Sequence, residues 1–459
     1  MLAVGFFVWS KWLGTTRIAF VNFQTIEQGR ISKANNNESI KLSEVSLDDL
    51  HRLADYDMVF INGMGLRIVE EQRQQIEKAA SHGVPVYTAM ATNPANNICS
   101  LDSVQQKYIR AYLSYGGNTN YRYLLNYVRK VIDGKVWGVS DIQEPVVRPS
   151  DLLYHAGLKN REEEQEFLTV DDYEHFLRTN GLYKESGKRI VVTGQMADAS
   201  GLIEALEKEG YNVYPVQSMT RFLEFINEIR PQTVINMAHG RLGDEMVGYL
   251  KAHNILLFAP LTINGLTEEW EKDPMGMSGG FLSQSVVMPE MDGAIRTYAL
   301  FAQYEDEEGL RHSYAVPERL KTFVENINKS LKLAEMPNKD KKIAIVYYKG
   351  PGQNALTAAG MEVVPSLYQL LVRLKEEGYN VGHLPADAEA LGRMIQEQGS
   401  VFNAYAEGTM DRFLQQGDVV RINKEAYESW VKKSLRPEKY EEVKATFGEF
   451  PGDYMVTSE

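Results

Sequence analysis

At 459 residues, with 44% hydrophobic and 24% charged residues, the chain is too long for one core and too ordinary in composition for extended disorder, so two to four domains are expected. A net charge of −13 excludes nucleic-acid binding as its main task, because a phosphate backbone recruits basic surfaces. The single cysteine, Cys99, excludes internal disulfides and thiolate zinc clusters.

The amino terminus is apolar from Leu2 to Trp9, followed by Lys11, Trp12 and Leu13. A membrane span needs roughly 20 apolar residues, and this run is shorter. Trp9, Lys11 and Trp12 suit the interfacial end of a span. Residues 1–16 are therefore expected to be the remnant of an N-terminal anchor or signal, with a buried first strand as the alternative. On the first reading the protein is membrane-associated through a single N-terminal span, its body on either side of a bacterial inner membrane.

Three similar units follow, starting at Arg17, Arg189 and Lys342, each a basic residue and then a β-branched run ending in a polar loop. Unbroken apolar runs of this kind suit strands buried on both faces of a parallel sheet. In the first unit, 57–63 and 84–88 read as further strands, and 70–80, 103–113 and 121–132 as helices, with Gly116-Gly117 as a helix stop. Residues 141–187 hold prolines and acidic runs and are expected to be a connector, in which His155 is a packing or surface residue. The second unit has strands at 211–216, 233–239 and 255–260 and helices at 200–210 and 242–252. Its β-α-β repetition predicts a doubly wound sheet. Residues 281–288 read as one more strand, opening at its carboxyl end into a loop with Glu290 and Asp292. The third unit has a strand at 342–348 and a helix at 364–378. The fold class is thus α/β, several doubly wound, flavodoxin-like parallel-sheet domains joined by helical connectors. Its domains are 17–140, 188–337 and 338–459, the last truncated.

Open α/β sheets bind ligands outside the carboxyl ends of their strands. That rule selects His239, in a Gly-flanked loop, with Glu290 and Asp292 as candidate catalytic groups, and His239 also as a candidate metal residue. Each is equally consistent with an ordinary loop side chain. Met277, in the flexible 275–280 segment, and Gly293 are candidate substrate contacts beside them. In Gly350-Pro351-Gly352-Gln353-Asn354 two glycines free backbone amides to approach an anion, or make a plain turn. Gly350, Gly352 and Asn354 are included as ligand-facing. The stretch is neither a Walker A loop nor a dinucleotide fingerprint.

Four stretches in order carry a resemblance. They are Ala111-Tyr112-Leu113 to Gly116-Gly117 with Asn120; Pro260-Leu261 to Pro289-Glu290-Met291-Asp292-Gly293; Lys342 to Gly360 with Pro365-Ser366-Leu367 and Gly378-Tyr379-Asn380-Val381; and Tyr427 to Pro451-Gly452. Together they resemble the large component of ATP-dependent tetrapyrrole metal chelatases, a family that comprises the cobaltochelatase large subunit (CobN) and its magnesium chelatase counterpart. Phe447 and Phe450 depart from that family's Trp-Gly-x-Pro-Pro-Gly stretch. The resemblance implies a multidomain chain that holds a tetrapyrrole (haem, porphyrin or corrinoid) and inserts a divalent metal, cobalt or magnesium. ATP and its magnesium would act only through separate AAA+ partner subunits. It also implies that residues beyond Glu459 complete the active site, so that this portion alone is inactive. The anchor-like terminus is similar to anchored relatives encoded with haem-uptake systems, which would remove iron from haem. A non-catalytic tetrapyrrole- or metal-binding module of an uptake system is the alternative.

Overall fold

The computed structural model describes residues 13–155, 164–194, 196–294, 297–346, 360–398, 420–450 and 452. The chain divides into two compact units, Met1–Leu331 and Lys332–Glu459.

The first unit opens with a four-stranded parallel sheet. Its strands are β1 (Thr16–Val21), β2 (Ile40–Glu44), β3 (Met58–Asn62) and β4 (Val86–Ala89), in the order β2-β1-β3-β4. Alternation sends Ile18, Phe20, Met58 and Phe60 into one core and Ala19, Val21, Val59 and Ile61 into another. Both faces are apolar, so both must be covered by helices. The first core receives α1 (Thr25–Ala34), α3 (Ser103–Tyr115) and α4 (Gly117–Tyr127), and the second receives α2 (Glu70–Ser81). Gly116, at φ +60°, turns α3 into α4, as the Gly-Gly pair predicts.

A π-helical turn, Val128–Ile132, extends α4 and carries the fully buried Arg129. Arg129 Nη1 donates to the Gly14 carbonyl (2.9 Å), Thr16 Oγ1 (2.9 Å) and the Ser39 carbonyl (3.3 Å). Lys135 Nζ donates to the Thr15 carbonyl (2.7 Å) and to Asp133 Oδ2 (2.6 Å), which also accepts from Thr16 Oγ1 (2.6 Å). The carbonyls ahead of β1 therefore find their donors more than a hundred residues later, as buried backbone polar groups require.

The second sheet runs β10-β9-β7-β8-β5-β6. Strands β7 (Arg189–Thr193), β8 (Asn212–Gln217), β9 (Thr233–Asn236) and β10 (Leu256–Phe258) are parallel and alternate with α6 (Ser200–Lys208), α7 (Phe222–Ile229) and α8 (Asp244–Ala252). The region expected as a connector supplies the rest of this sheet. It forms β5 (Leu152–His155), antiparallel to β8, β6 (Gln165–Phe167) and α5 (Val170–Thr179). Leu152, Leu153 and Tyr154 are buried in two cores, which accounts for the pairing. A small third sheet joins β11 (Pro260–Leu266), β12 (Tyr298–Glu305) and β13 (Arg311–Ala315). After it, α11 (Pro317–Glu335) packs Phe323, Val324, Ile327 and Leu331 into the core.

Three expectations are corrected. Residues 281–288 are not a strand. Segments Gly279–Leu282, Ser283–Val287 (a π-helical turn) and Met288–Met291 make one helix, α10, after the short α9 (Thr267–Lys272). Ser285, Pro289 and Asp292, spaced four and three apart, share its buried face. Pro289 lacks an amide, and the wider turn before it accommodates that loss. Second, residues 342–346 form no strand, and Ile343, Ile345 and Val346 are exposed. A β-branched run becomes a strand only where a neighbour pairs with it. Third, among the described residues no helix is long and apolar enough to cross a membrane, and Thr16 already enters β1. This overturns the expected single-span localisation; residues 1–12 lie outside the described residues.

The described part of the second unit consists of helices α12 (Val363–Glu376), α13 (Ala388–Gln398), α14 (Lys424–Ser434) and α15 (Pro437–Phe447).

Candidate functional site

In the second sheet β8 lies on one side of β7 and β9 on the other, so the chain reverses its winding between β7 and β9. The loops leaving those two strands flank the crevice where such sheets take ligands. They touch closely. Gly194, at φ +69°, sits where a Cβ would lie 2.5 Å from the Ala238 amide nitrogen and 2.5 Å from Asn236 Oδ1. Only glycine fits both the backbone conformation and the space.

His239 occupies the loop after β9, exposed, with Nδ1 2.9 Å from Ser285 Oγ of α10 and its ring edge-on to Phe281 at 5.5 Å. The Gly240 amide donates to the Gln284 carbonyl (2.9 Å). Partial burial of the ring lowers the His239 pKa, which favours neutral imidazole at neutral pH. Its other nitrogen, Nε2, has no hydrogen-bond partner among the described residues.

The two carboxylates diverge. Asp292 is buried, receives an ion pair from Arg241 Nε and accepts the Leu242 amide at 2.7 Å. It pins the His239 loop to the end of α10. Glu290 is exposed on the opposite side of the helix. Met277 is half-buried ahead of α10, and Gly293, at φ +101°, ends it. The structure thus brings His239 and Asp292 to the same loop–helix contact, with Glu290 facing solvent. Gly350, Gly352 and Asn354 lie outside the described residues. Among the described residues no three His, Cys, Asp or Glu side chains are grouped to hold a metal, so His239 would be a single ligand.

Sequence reasoning missed a cleft of about 430 Å3 between α1 and the loop from β7 into α6. Lys33 of α1 pairs with Asp198, which also accepts the Ser200 amide (3.0 Å) and hydroxyl at the start of α6. Burial raises the Asp198 pKa, but Lys33 and Ser200 more than offset this and hold it below its ordinary value. Glu164 is pushed up by burial despite Arg148 at 4.0 Å. Tyr154, held in β5, is 95% removed from solvent at the cleft wall, and its phenol is pushed well above its usual pKa by burial. Opposite lies a parallel stack of Tyr304 on His312 (centroids 5.3 Å apart), the histidine fixed by Asp306 at 2.8 Å. No local motif announces this cleft, because its walls come from segments scattered between Ile26 and Ser313. A second hollow of about 470 Å3, lined by Phe23, Glu27, Tyr87, Met90 and Arg110, lies beside β4.

The chain is 24% identical over 388 residues to a functionally undescribed protein of Methanocaldococcus jannaschii, covering 77% of this chain and 29% of that one. It is 27% identical over 283 residues to the H-type subunit of magnesium chelatase from Chlorobaculum parvum, covering 55% of this chain and 21% of the relative. Its fold is similar to that of the catalytic subunit of cobaltochelatase from Mycobacterium tuberculosis, with a TM-score of 0.63 and 20% identity, over 96% of this chain and 36% of that one. The chain therefore spans about a third or less of the length of these proteins. A sequence profile described as CobN/Magnesium Chelatase matches residues 110–459, three-quarters of the chain, and the chain belongs to that family.

Proposed function

We propose that this chain forms α/β domains of the large, tetrapyrrole-holding subunit of a metal chelatase that inserts magnesium or cobalt. The profile match over residues 110–459 carries this reading, and the fold shared with a cobaltochelatase catalytic subunit supports it. Separate AAA+ subunits would supply ATP hydrolysis, and this portion alone would not turn over.

Insertion exchanges one divalent cation for two pyrrole N–H protons, so the site needs proton acceptors beside the ring. In this reading His239 Nε2, neutral and unpartnered among the described residues, takes one proton or meets the metal, and Glu290 is the second acceptor. Ser285 orients the imidazole, and Asp292 holds the loop rather than reacting. Met277, Gly293 and the Gly350, Gly352 and Asn354 loop remain proposed ligand contacts.

The test is a visible-absorption titration of the full-length protein with metal-free porphyrin, a cobalt-free corrinoid and haem. It is followed by metal-insertion assays with the partner subunits. Saturable binding of a metal-free macrocycle is expected, with insertion slowed about a hundredfold in the His239→Gln, Glu290→Gln double variant and affinity nearly unchanged. An unchanged rate would remove these two roles; absence of any tetrapyrrole binding would remove the reading. Preference for haem, with iron released on incubation, would assign the reverse direction.

A further inference from the structure

The cleft between α1 and the start of α6 is built for a ligand that the His239 site does not account for. Tyr154 is 95% removed from solvent, lines the cleft, and its hydroxyl has no hydrogen-bond partner among the described residues. A phenol so placed offers its hydroxyl to whatever enters the cleft. Each carboxylate in the cleft already has its cation, Lys33 for Asp198 and Arg148 for Glu164. What is left over is donors. Lys33 remains half exposed with protons to spare, and α6, nine residues long, points its amino terminus here. One wall carries the stacked rings of Tyr304 and His312, and Gly29 of α1 packs beside that histidine, where an added Cβ would come 3.8 Å from its ring. At about 430 Å3 the space is within the range of small-molecule sites.

We propose that this cleft binds a carboxylate-bearing edge of a planar aromatic ligand. The phenol of Tyr154 and the ammonium of Lys33 donate to the carboxylate, and the Tyr304–His312 face lies against the ring. Resting on the function proposed above, that ligand is the tetrapyrrole itself, gripped by a side-chain carboxylate away from the reacting nitrogens. The cleft is then a specificity device, separating macrocycles with free carboxylates from those whose carboxylates are masked.

The experiment is an equilibrium titration of the full-length protein with protoporphyrin and with its dimethyl ester. The wild-type protein should bind the free acid more tightly. Tyr154→Phe should weaken free-acid binding about tenfold, as expected for one charge-assisted hydrogen bond, and leave the ester unaffected. Gly29→Leu, which favours the helix and pushes a larger side chain against the His312 ring, should weaken both. Thermal unfolding of each variant separates loss of fold from loss of site. Wild-type affinity in both folded variants would overturn the cleft assignment while leaving the tetrapyrrole reading intact. No binding of either porphyrin or corrinoid by the wild-type protein would overturn both.

Discussion

The Asp292 side chain is 1% exposed, with Arg241 Nε and the Leu242 amide as its donors. Asparagine at this position keeps an acceptor for the amide but removes the buried one of the two carboxylates that pair with Arg241, leaving only the exposed Asp244. Because Arg241 is 35% exposed and water screens part of the pair, Asp292→Asn should cost about 1–2 kcal/mol. Chemical denaturation should show a lower midpoint with an unchanged slope; an unchanged midpoint would mean the loop is held by its other contacts. Glu290 and Asp292 carry the same signal in sequence, two carboxylates two residues apart. On a helix two residues are about 200° of rotation, which buries one and exposes the other. Their chemistry is legible in the sequence; their opposite fates are not, since those depend on the element that carries them. His239 is legible as a strand-end residue, but its partner Ser285 belongs to α10, whose apolar run has the length of a strand.

At the scale of elements, α7 is started by a residue outside it. Asp151, just before β5, accepts the Ser218 hydroxyl, the Met219 and Thr220 amides (2.9 Å each) and the Arg221 amide (3.1 Å). Burial would raise its pKa, but the hydroxyls of Ser218 and Ser150 and the amides of Thr220 and Arg221 hold the carboxyl far below its usual range. A carboxyl depressed on folding contributes stability that is present above its unfolded value, about pH 4, and lost as pH falls towards the folded value. Asp151→Asn keeps an acceptor oxygen but removes the charge, and should therefore destabilise by about 1 kcal/mol at pH 7, with the difference shrinking below about pH 4. Denaturation midpoints measured from about pH 7 to about pH 3 give the comparison; a constant gap would assign the cap to geometry rather than charge. Most elements are legible because a β-branched run bounded by turn residues admits few conformations. Segment 279–291 misleads because the length of its apolar run fits a strand, whereas the helical spacing of Ser285, Pro289 and Asp292 is the feature that decides.

At the scale of the molecule, the doubly wound class is legible in runs such as 17–23 and 189–194, apolar on both faces and therefore buried on both. The antiparallel strands β5 and β6 are not, since pairing at a sheet edge is settled by distant residues that local pattern does not contain. The Arg129 and Lys135 network has a consequence for the order of events during synthesis. The carbonyls of Gly14 and Thr15 wait for donors 115 and 120 residues downstream, so the start of β1 is closed only after the strand has paired with β2 and β3. Such a closure is slow to find and long exposed. Nascent chains halted before Arg129 should leave the β1 amides open to exchange with solvent, and chains released past Lys135 should protect them. Equal protection in both would mean that the sheet fastens itself. The start of β1 is thus a latch that only a finished domain can close.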